Sequence, residues 1–183
     1  MRAYGAQSMV EPLLRVLVRR PDAAFGGADP ARWHYTSQPD LEAARIEHDA
    51  LTATLRVAGC EVLYHEARLP DHADAIFTHD PALVTDAGAV ILRMGKAGRR
   101  GEEAAIAATL EALGVPILAT LDGAATAEGG DLVWLDHDTL AVGRGYRTNA
   151  EGLRQLAAAL RPLGVATVEV QLPHGDGPAS CLH

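Results

Sequence analysis

Short apolar runs alternate along the chain with longer segments whose apolar residues recur at helical spacing. Runs of this kind are typical of buried strands, and they occupy residues 13–18, 60–66, 115–121 and 166–172. Residues 40–59 and 101–114 instead place apolar side chains three and four positions apart, which predicts amphipathic helices. The pattern as a whole predicts an α/β protein.

Two further pairs of apolar runs predict β-hairpins. Residues 76–84 and 89–94 flank the turn sequence Asp-Ala-Gly, and residues 129–135 and 140–145 flank a turn at His137 and Asp138. Each predicted hairpin is followed by a helix and then a strand. The repeating unit is therefore strand, strand, helix, strand.

Polar residues predict where the helices begin. Ser37 and Asp40 fit a capping box before one helix, and Thr148 and Glu151 fit another before the last helix. Gly59 lies where a glycine commonly ends a helix. The last helix carries a predicted buried stripe of Leu153, Leu156, Ala157 and Leu160.

The landmarks of the unit recur at a near-constant interval. Gly114 and Gly164, which both follow helices, are 50 residues apart, and Asp80 and Asp131, which both precede strands, are 51 apart. The spacing predicts three ββαβ units of about 50 residues, at 10–70, 71–122 and 123–183. It also places the terminal His183 at the next strand entrance, so that two acids and a histidine are expected around one pocket.

Composition narrows the classes of function. The chain has 183 residues, is 48% hydrophobic and 22% charged, and carries a formal net charge of −8, which is ordinary for a globular protein and disfavours nucleic-acid binding. No segment has the length of a membrane span or the pattern of a signal peptide, and the two cysteines make no disulfide framework. We therefore expect a cytoplasmic protein that binds neither nucleic acid nor membrane. The histidines lack the spacing of a metal site and Gly143–Gly145 lacks the rest of a dinucleotide motif, so no metal or cofactor is expected.

Carboxylates beside a histidine suit a cationic, planar ligand. A guanidinium group offers five N–H donors in a fixed fork that carboxylates accept well, and histidine is the side chain that best transfers protons near neutral pH. Two glycines, Gly129 and Gly130, separate Glu128 from Asp131 and would allow a ligand to approach the backbone closely. An acid before a strand can equally be a turn or capping residue, and that alternative remains open here.

Five segments resemble the guanidino-group-modifying superfamily, in particular its dimethylargininase and arginine deiminase branch. They are FTHDPALV (77–84), ILRMGKAGRRGEE (91–103), EGGDLVWL (128–135), GRGYRTNAEG (143–152) and the terminal CLH. The resemblance implies a fivefold pseudosymmetric α/β propeller of ββαβ units. It also implies hydrolysis of the guanidinium group of arginine or N-methylated arginine to citrulline and an amine through a covalent cysteine intermediate.

The resemblance assigns roles to individual residues. It implies that His183 is the general acid and base and that Glu128 orients the guanidinium. Asp80, which ends the F-x-x-D stretch begun by Phe77, is expected to bind the substrate together with Phe77 and with Asp131 on the glycine loop. Arg93 and Arg147 resemble the arginines that hold the substrate's α-carboxylate, although Arg147 can also be read as a solvated charge before its helix.

The sequence departs from the superfamily in its nucleophile. The catalytic cysteine of the superfamily follows its histidine, whereas this sequence stops at His183. Cys60 is best read as a small buried hydrophobe, and Cys181 has a structural reading that we favour over a nucleophilic one. We therefore expect the nucleophile to lie outside this chain, the chain alone to be inactive, and two further units to complete a protein of roughly 250 to 280 residues.

Several alternatives follow from the same residues. The activity can be that of an amidinotransferase or an arginine deiminase of the same superfamily, and the sequence does not separate these from a dimethylargininase. A noncatalytic propeller that binds a partner is a third reading. Exposed strand edges would favour a homo-oligomer or association with the missing C-terminal segment.

Overall fold

A computed structural model describes residues 4–173 of the chain. Two compact units are present, one formed by residues 12–78 and the other by residues 4–11 together with 79–173. Each is described by itself below.

The smaller unit is built on one pair of parallel strands. Its strands are β1 (Arg15–Val18) and β2 (Glu61–Tyr64), and its helices are α1 (Ala23–Gly26), α2 (Pro30–Trp33) and α3 (Leu41–Val57). Val16 of β1 lies opposite Val62 of β2. Within the described residues this unit is a β-α-β arrangement, without the additional antiparallel strand that the repeat predicts.

Helix α3 begins at a different cap from the predicted one. The side chain of Asp40, not that of Ser37, accepts a hydrogen bond from the backbone N–H of Ala43 at 3.0 Å. Ser37 and Asp40 satisfy the capping-box pattern, but an aspartate directly before the first helical residue can itself reach the N–H three positions on. Gly59 has a φ of +87°, which agrees with its prediction as the residue that ends the helix.

A buried histidine follows β2. His65 is 4% exposed, and its backbone N–H donates to the carbonyl of Val18 at 2.8 Å. Burial, reinforced by the positive charge of Arg19, lowers the pKa of His65 to about 4. The imidazole is therefore held neutral inside the unit.

The larger unit contains two ββαβ repeats. The first consists of β3 (Ala82–Thr85), β4 (Gly88–Ile91), α4 (Glu102–Ala112) and β5 (Ile117–Thr120). The second consists of β6 (Leu132–Asp136), β7 (Thr139–Arg144), α5 (Ala150–Leu160) and β8 (Ala166–Gln171). In each repeat the hairpin strands pair antiparallel and the strand after the helix joins in parallel, giving sheet orders β3-β4-β5 and β6-β7-β8.

Three of the four predicted stripe residues of α5 pack into the core, with Leu153 partly buried against it, whereas Ala157 is only partly buried and is not in the core cluster. Leu156 and Leu160 of α5 are fully buried against Leu140 and Val142 of β7 in the main core cluster of this unit. The cap of α5 differs from the prediction, because Asn149 accepts the hydrogen bond from the backbone N–H of Gly152 at 2.8 Å. Thr148 is thereby left for another role, which is described in the next section.

Candidate functional site

Glu128 is fully buried and is held mainly by backbone. It lies between Ala127, which forms an isolated antiparallel bridge with Arg93, and a 3-10 turn at Gly129–Asp131. Its Oε1 accepts hydrogen bonds from the backbone N–H of Gly95 at 2.8 Å and of Lys96 at 3.0 Å. Two backbone donors on one oxygen fix the carboxylate in position.

Asp80 lies directly across from the glycine loop. Its Oδ1 accepts from the backbone N–H of Gly130 at 3.0 Å, and its carbonyl accepts from the N–H of Gly129 at 3.0 Å. The other carboxylate oxygen, Oδ2, is 2.5 Å from Nη1 of Arg99. Both oxygens of Asp80 are therefore engaged.

Arg99 joins Asp80 to a second buried acid. Its Nε and Nη2 donate to the carboxylate of Glu102, with Nη2 2.7 Å from Oε2, and both side chains are at most 3% exposed. Burial alone would lower the pKa of Arg99, but the Glu102 and Asp80 carboxylates outweigh it and raise that pKa above its ordinary value. Arg99 therefore stays charged and links the two acids.

Asp131 accepts a hydrogen bond from Thr148, the residue that the sequence predicted as a helix cap. The hydroxyl of Thr148 donates to Oδ2 of Asp131 at 2.6 Å, and it accepts from the backbone N–H of Glu128 at 3.2 Å. Thr148 is fully buried. It thus connects the two acids of the glycine loop to the segment before α5.

The structure brings together the acids from the entrances of two successive repeats. We use the term carboxylate cluster for Asp80, Glu102, Glu128 and Asp131. Counted over backbone and side chain together, each of these residues is at most 7% exposed. Two arginines, Arg99 and Arg147, form ion pairs with the cluster. The four carboxylates outnumber the two guanidinium groups paired with them, and carboxylates bind cations by charge-assisted hydrogen bonds.

Gly129 is required by the protein's own backbone. A Cβ at this position would overlap the carbonyl oxygen of His79 and lie 2.9 Å from its carbonyl carbon. The sequence analysis expected the glycine pair to make room for a ligand. At Gly129 the close approach is instead between two segments of the chain, and it sets the position of Glu128 beside Asp80.

The two predicted carboxylate-binding arginines lie in different surroundings. Nη1 of Arg93 donates to the carbonyl of Ala125 at 3.2 Å. Nη1 of Arg147 lies 3.1 Å from Oε2 of Glu128, and its side chain is 18% exposed. Arg147 is therefore an ion-pair partner of the site's central acid and not a solvated charge.

Three residues named by the sequence analysis are not described with this site. Phe77 belongs to the smaller unit, where it follows a 3-10 turn at Ala73–Ile76 and is 51% exposed. His183 and Cys181 lie outside the described residues. Their expected roles stay predictions.

Arg99, Glu102 and Thr148 are site residues that sequence reasoning missed. The sequence analysis gave Arg99 no role, placed Glu102 in a predicted helix and assigned Thr148 to a helix cap. The spacing of Arg99 and Glu102, three positions apart at a helix start, was the available signal for an ion pair. Nothing in that spacing indicates that Asp80 would be the third member.

Residues 30–175 match the family described as N,N dimethylarginine dimethylhydrolase, eukaryotic. The chain belongs to this family. The dimethylarginine dimethylhydrolase family lies in the superfamily that the sequence motifs resemble, and that resemblance is confirmed.

Bacterial members of the dimethylarginine dimethylhydrolase family are similar over most of the chain. The N(G),N(G)-dimethylarginine dimethylaminohydrolase of Streptomyces coelicolor is 34% identical over 160 residues, which are 87% of this chain and 60% of the relative. That of Pseudomonas aeruginosa is 31% identical over 140 residues, covering 75% of this chain and 54% of the relative. The chain thus spans little more than half the length of these relatives.

Solved structures confirm the predicted fold class, an α/β propeller of ββαβ units. The Pseudomonas aeruginosa enzyme, as a mutant complexed with citrulline, superposes with a TM-score of 0.77 at 27% identity, over 88% of this chain and 62% of that one. The N-terminal domain of a cyanobacterial arginine dihydrolase bound to its substrate has a TM-score of 0.75 at 22% identity, covering 88% and 59%, and shares the fold.

Residues 4–173 contain neither a metal-binding group of side chains nor a membrane-spanning helix. No group of three or more His, Cys, Asp or Glu side chains in that range is arranged to hold a metal ion. No helix in the same range is both long enough and apolar enough to cross a membrane.

Proposed function

We propose that the protein hydrolyses the guanidinium group of arginine or N-methylated arginine, giving citrulline and an amine. The observation that carries the proposal is the buried carboxylate cluster, in which two backbone N–H groups hold Glu128 in place. A planar cation that donates several hydrogen bonds is the ligand such a site favours. Membership of the dimethylarginine dimethylhydrolase family supports the same substrate class.

The proposed reaction begins with attack of a cysteine thiolate on the guanidinium carbon. A C–S bond forms, the C–N bond to the terminal nitrogen that leaves as ammonia or as the methylated amine breaks, and His183 supplies the proton that this leaving group takes with it. Water, deprotonated by His183, then adds to the same carbon and the C–S bond breaks, which releases citrulline and regenerates the thiolate. Glu128 stabilises the positive charge of the substrate throughout.

The nucleophile in this proposal is neither of the two cysteines of the chain. Cys60 is 5% exposed in the smaller unit, where a thiol behaves as a packed apolar group. For Cys181, which lies outside the described residues, the sequence analysis favours a structural reading over a nucleophilic one. We therefore expect the chain by itself to bind the substrate class without releasing citrulline.

Calorimetric titration of the 183-residue chain with dimethylarginine and arginine tests the binding step. The Glu128→Gln variant keeps the size of the side chain but loses its charge, and we expect its affinity to fall about 10- to 100-fold, as for a lost hydrogen bond to a charged group. Glu151→Gln is the matched control, since Glu151 is a partly exposed glutamate on α5 whose partner is Arg154. Equal affinities of the wild type and Glu128→Gln would refute the role of Glu128.

A citrulline assay tests the nucleophile separately. We expect no citrulline from the chain with either substrate. Turnover that disappears on Cys181→Ser would show that the chain carries its own nucleophile.

A further inference from the structure

The guanidinium group of Arg147 contacts Glu128, the acid that is proposed to bind the guanidinium group of the substrate. Its Nη1 lies 3.1 Å from Oε2 and 3.5 Å from Oε1 of Glu128. The contact uses one nitrogen, not the two-nitrogen fork that makes arginine–carboxylate pairs strong. Within residues 4–173, no other partner of the Arg147 side chain is present.

The two members of this pair are held very differently. Glu128 is fully buried and is fixed by the N–H groups of Gly95 and Lys96. The backbone of Arg147 packs closely against Gly95, where a Cβ would lie 2.7 Å from the carbonyl oxygen of Arg147, and backbone hydrogen bonds from Gly145 to Thr148 and from Asn149 to Thr126 fix the loop on either side. Its long side chain is partly exposed, so the guanidinium can leave Glu128 while the loop that carries it stays in place.

We infer that Arg147 is an internal competitor: its guanidinium occupies Glu128 in the ligand-free protein and is displaced by the guanidinium of the substrate. The displaced Arg147 is then available to the α-carboxylate of the same substrate, which is the partner that the family resemblance implies for it. The inference rests on the proposed function, from which it takes Glu128 as the guanidinium-binding acid. One exchange thus gives a partner to the guanidinium and to the carboxylate of the substrate.

This exchange selects for ligands that carry both groups. A ligand with a guanidinium but no carboxylate displaces Arg147 without offering it a new partner. The apparent association constant of such a ligand is its intrinsic value multiplied by the fraction of protein in which Arg147 has left Glu128. If that fraction is about one tenth, the reduction is about tenfold. Arginine recovers the loss through its carboxylate.

The test compares arginine with methylguanidine, which lacks the carboxylate, by calorimetric titration of the 183-residue chain. In Arg147→Gln the competitor is removed, and we expect methylguanidine to bind about tenfold more tightly than to the wild type. In the same variant, arginine should no longer bind more tightly than methylguanidine on account of its carboxylate. Arg147→Lys keeps a cation with a weaker hold on the carboxylate and should give an intermediate gain.

A gain of affinity separates this role from a structural one, because a variant that merely damages the site weakens every ligand. Arg154→Gln, which removes an exposed arginine of the same unit, is the control and should bind both ligands as the wild type does. The inference is overturned if the wild type binds arginine but methylguanidine binds Arg147→Gln no more tightly than the wild type. Failure of the wild type and of Arg147→Gln to bind either ligand would instead overturn the proposed function, and this inference with it.

Discussion

Replacement of Arg99 by methionine isolates the contribution of the buried ion pairs. Arg99 lies between Asp80 and Glu102, at 2.5 Å and 2.7 Å, and the side chains of the three residues are 3%, 11% and 2% exposed. Methionine retains much of the volume of the arginine side chain and removes its charge. The variant therefore leaves two buried carboxylates without their common partner.

The expected cost is about 4 kcal/mol of unfolding free energy at neutral pH, because removing one member of a buried pair typically costs about 3–5 kcal/mol. The total stability of a domain is only about 5–15 kcal/mol, so the loss is a large part of it. Replacing Glu102 by leucine in the same chain should recover some of the loss, since one uncompensated charge is removed.

Urea unfolding followed by tryptophan fluorescence measures this cost. Trp134 is in the larger unit and Trp33 is in the smaller one. In a Trp33→Phe background the signal reports the unit that contains Arg99. The quantity to compare is the midpoint at constant slope, which reports stability without a change in the exposed surface.

Arg154→Met is the matched control for this experiment. Arg154 and Glu151 form a pair with the same three-residue spacing and a 2.6 Å contact, but the two side chains are 66% and 36% exposed. Exposed ion pairs contribute little to the free energy of unfolding, so the unfolding midpoint of Arg154→Met should stay near that of the wild type. Similar midpoints for Arg99→Met and Arg154→Met would refute the reasoning that burial gives the Arg99 pairs their weight.

Two further predictions concern pH and packing. Burial and Arg19 lower the pKa of His65 to about 4 from an ordinary value near 6.5, so the neutral histidine stabilises the smaller unit above pH 6.5, and that stabilisation is lost as the pH falls to about 4. His65→Gln should therefore reduce the loss of stability of the smaller unit between these two pH values, measured by Trp33 fluorescence. An unchanged dependence of stability on pH would contradict the assignment. Gly152→Ala should destabilise the larger unit by about 1–2 kcal/mol despite the better helix propensity of alanine, since its Cβ would collide with the carbonyl oxygen of Thr126. A raised melting temperature for this variant would show that the loop yields, and Ala158→Gly at an exposed helix position measures the propensity effect alone.

The secondary structure of the larger unit was largely predictable from the sequence. Both hairpins, α4, α5 and the strands after them follow from apolar spacing and turn residues, which act over a few neighbouring positions. The exceptions are helix starts. Asn149 takes the cap that Thr148 was expected to form, because Thr148 is drawn into the site by Asp131 and the N–H of Glu128.

The candidate site was predicted in part. The repeat spacing and the family motifs indicated Asp80, Glu128 and Asp131 as neighbours, since equivalent positions of adjacent repeats lie close together. The partners of these acids were not predictable in the same way. Whether Arg147 would face Glu128 or solvent depends on where the loop before α5 approaches Gly95, and no local pattern encodes that approach.

By itself the sequence determined the order of strands and helices, the interval at which they repeat, the excess of acidic residues at strand entrances and the family to which the motifs belong. Each of these depends on residue type and on spacing over short stretches. Only the tertiary structure decided the ion pairs and backbone contacts of the site, because they join residues far apart in sequence: Arg99 to Asp80 across 19 positions, Gly95 to Glu128 across 33 and Gly130 to Asp80 across 50. The energy of such contacts depends on distance and burial, which exist only after the repeats have packed against each other.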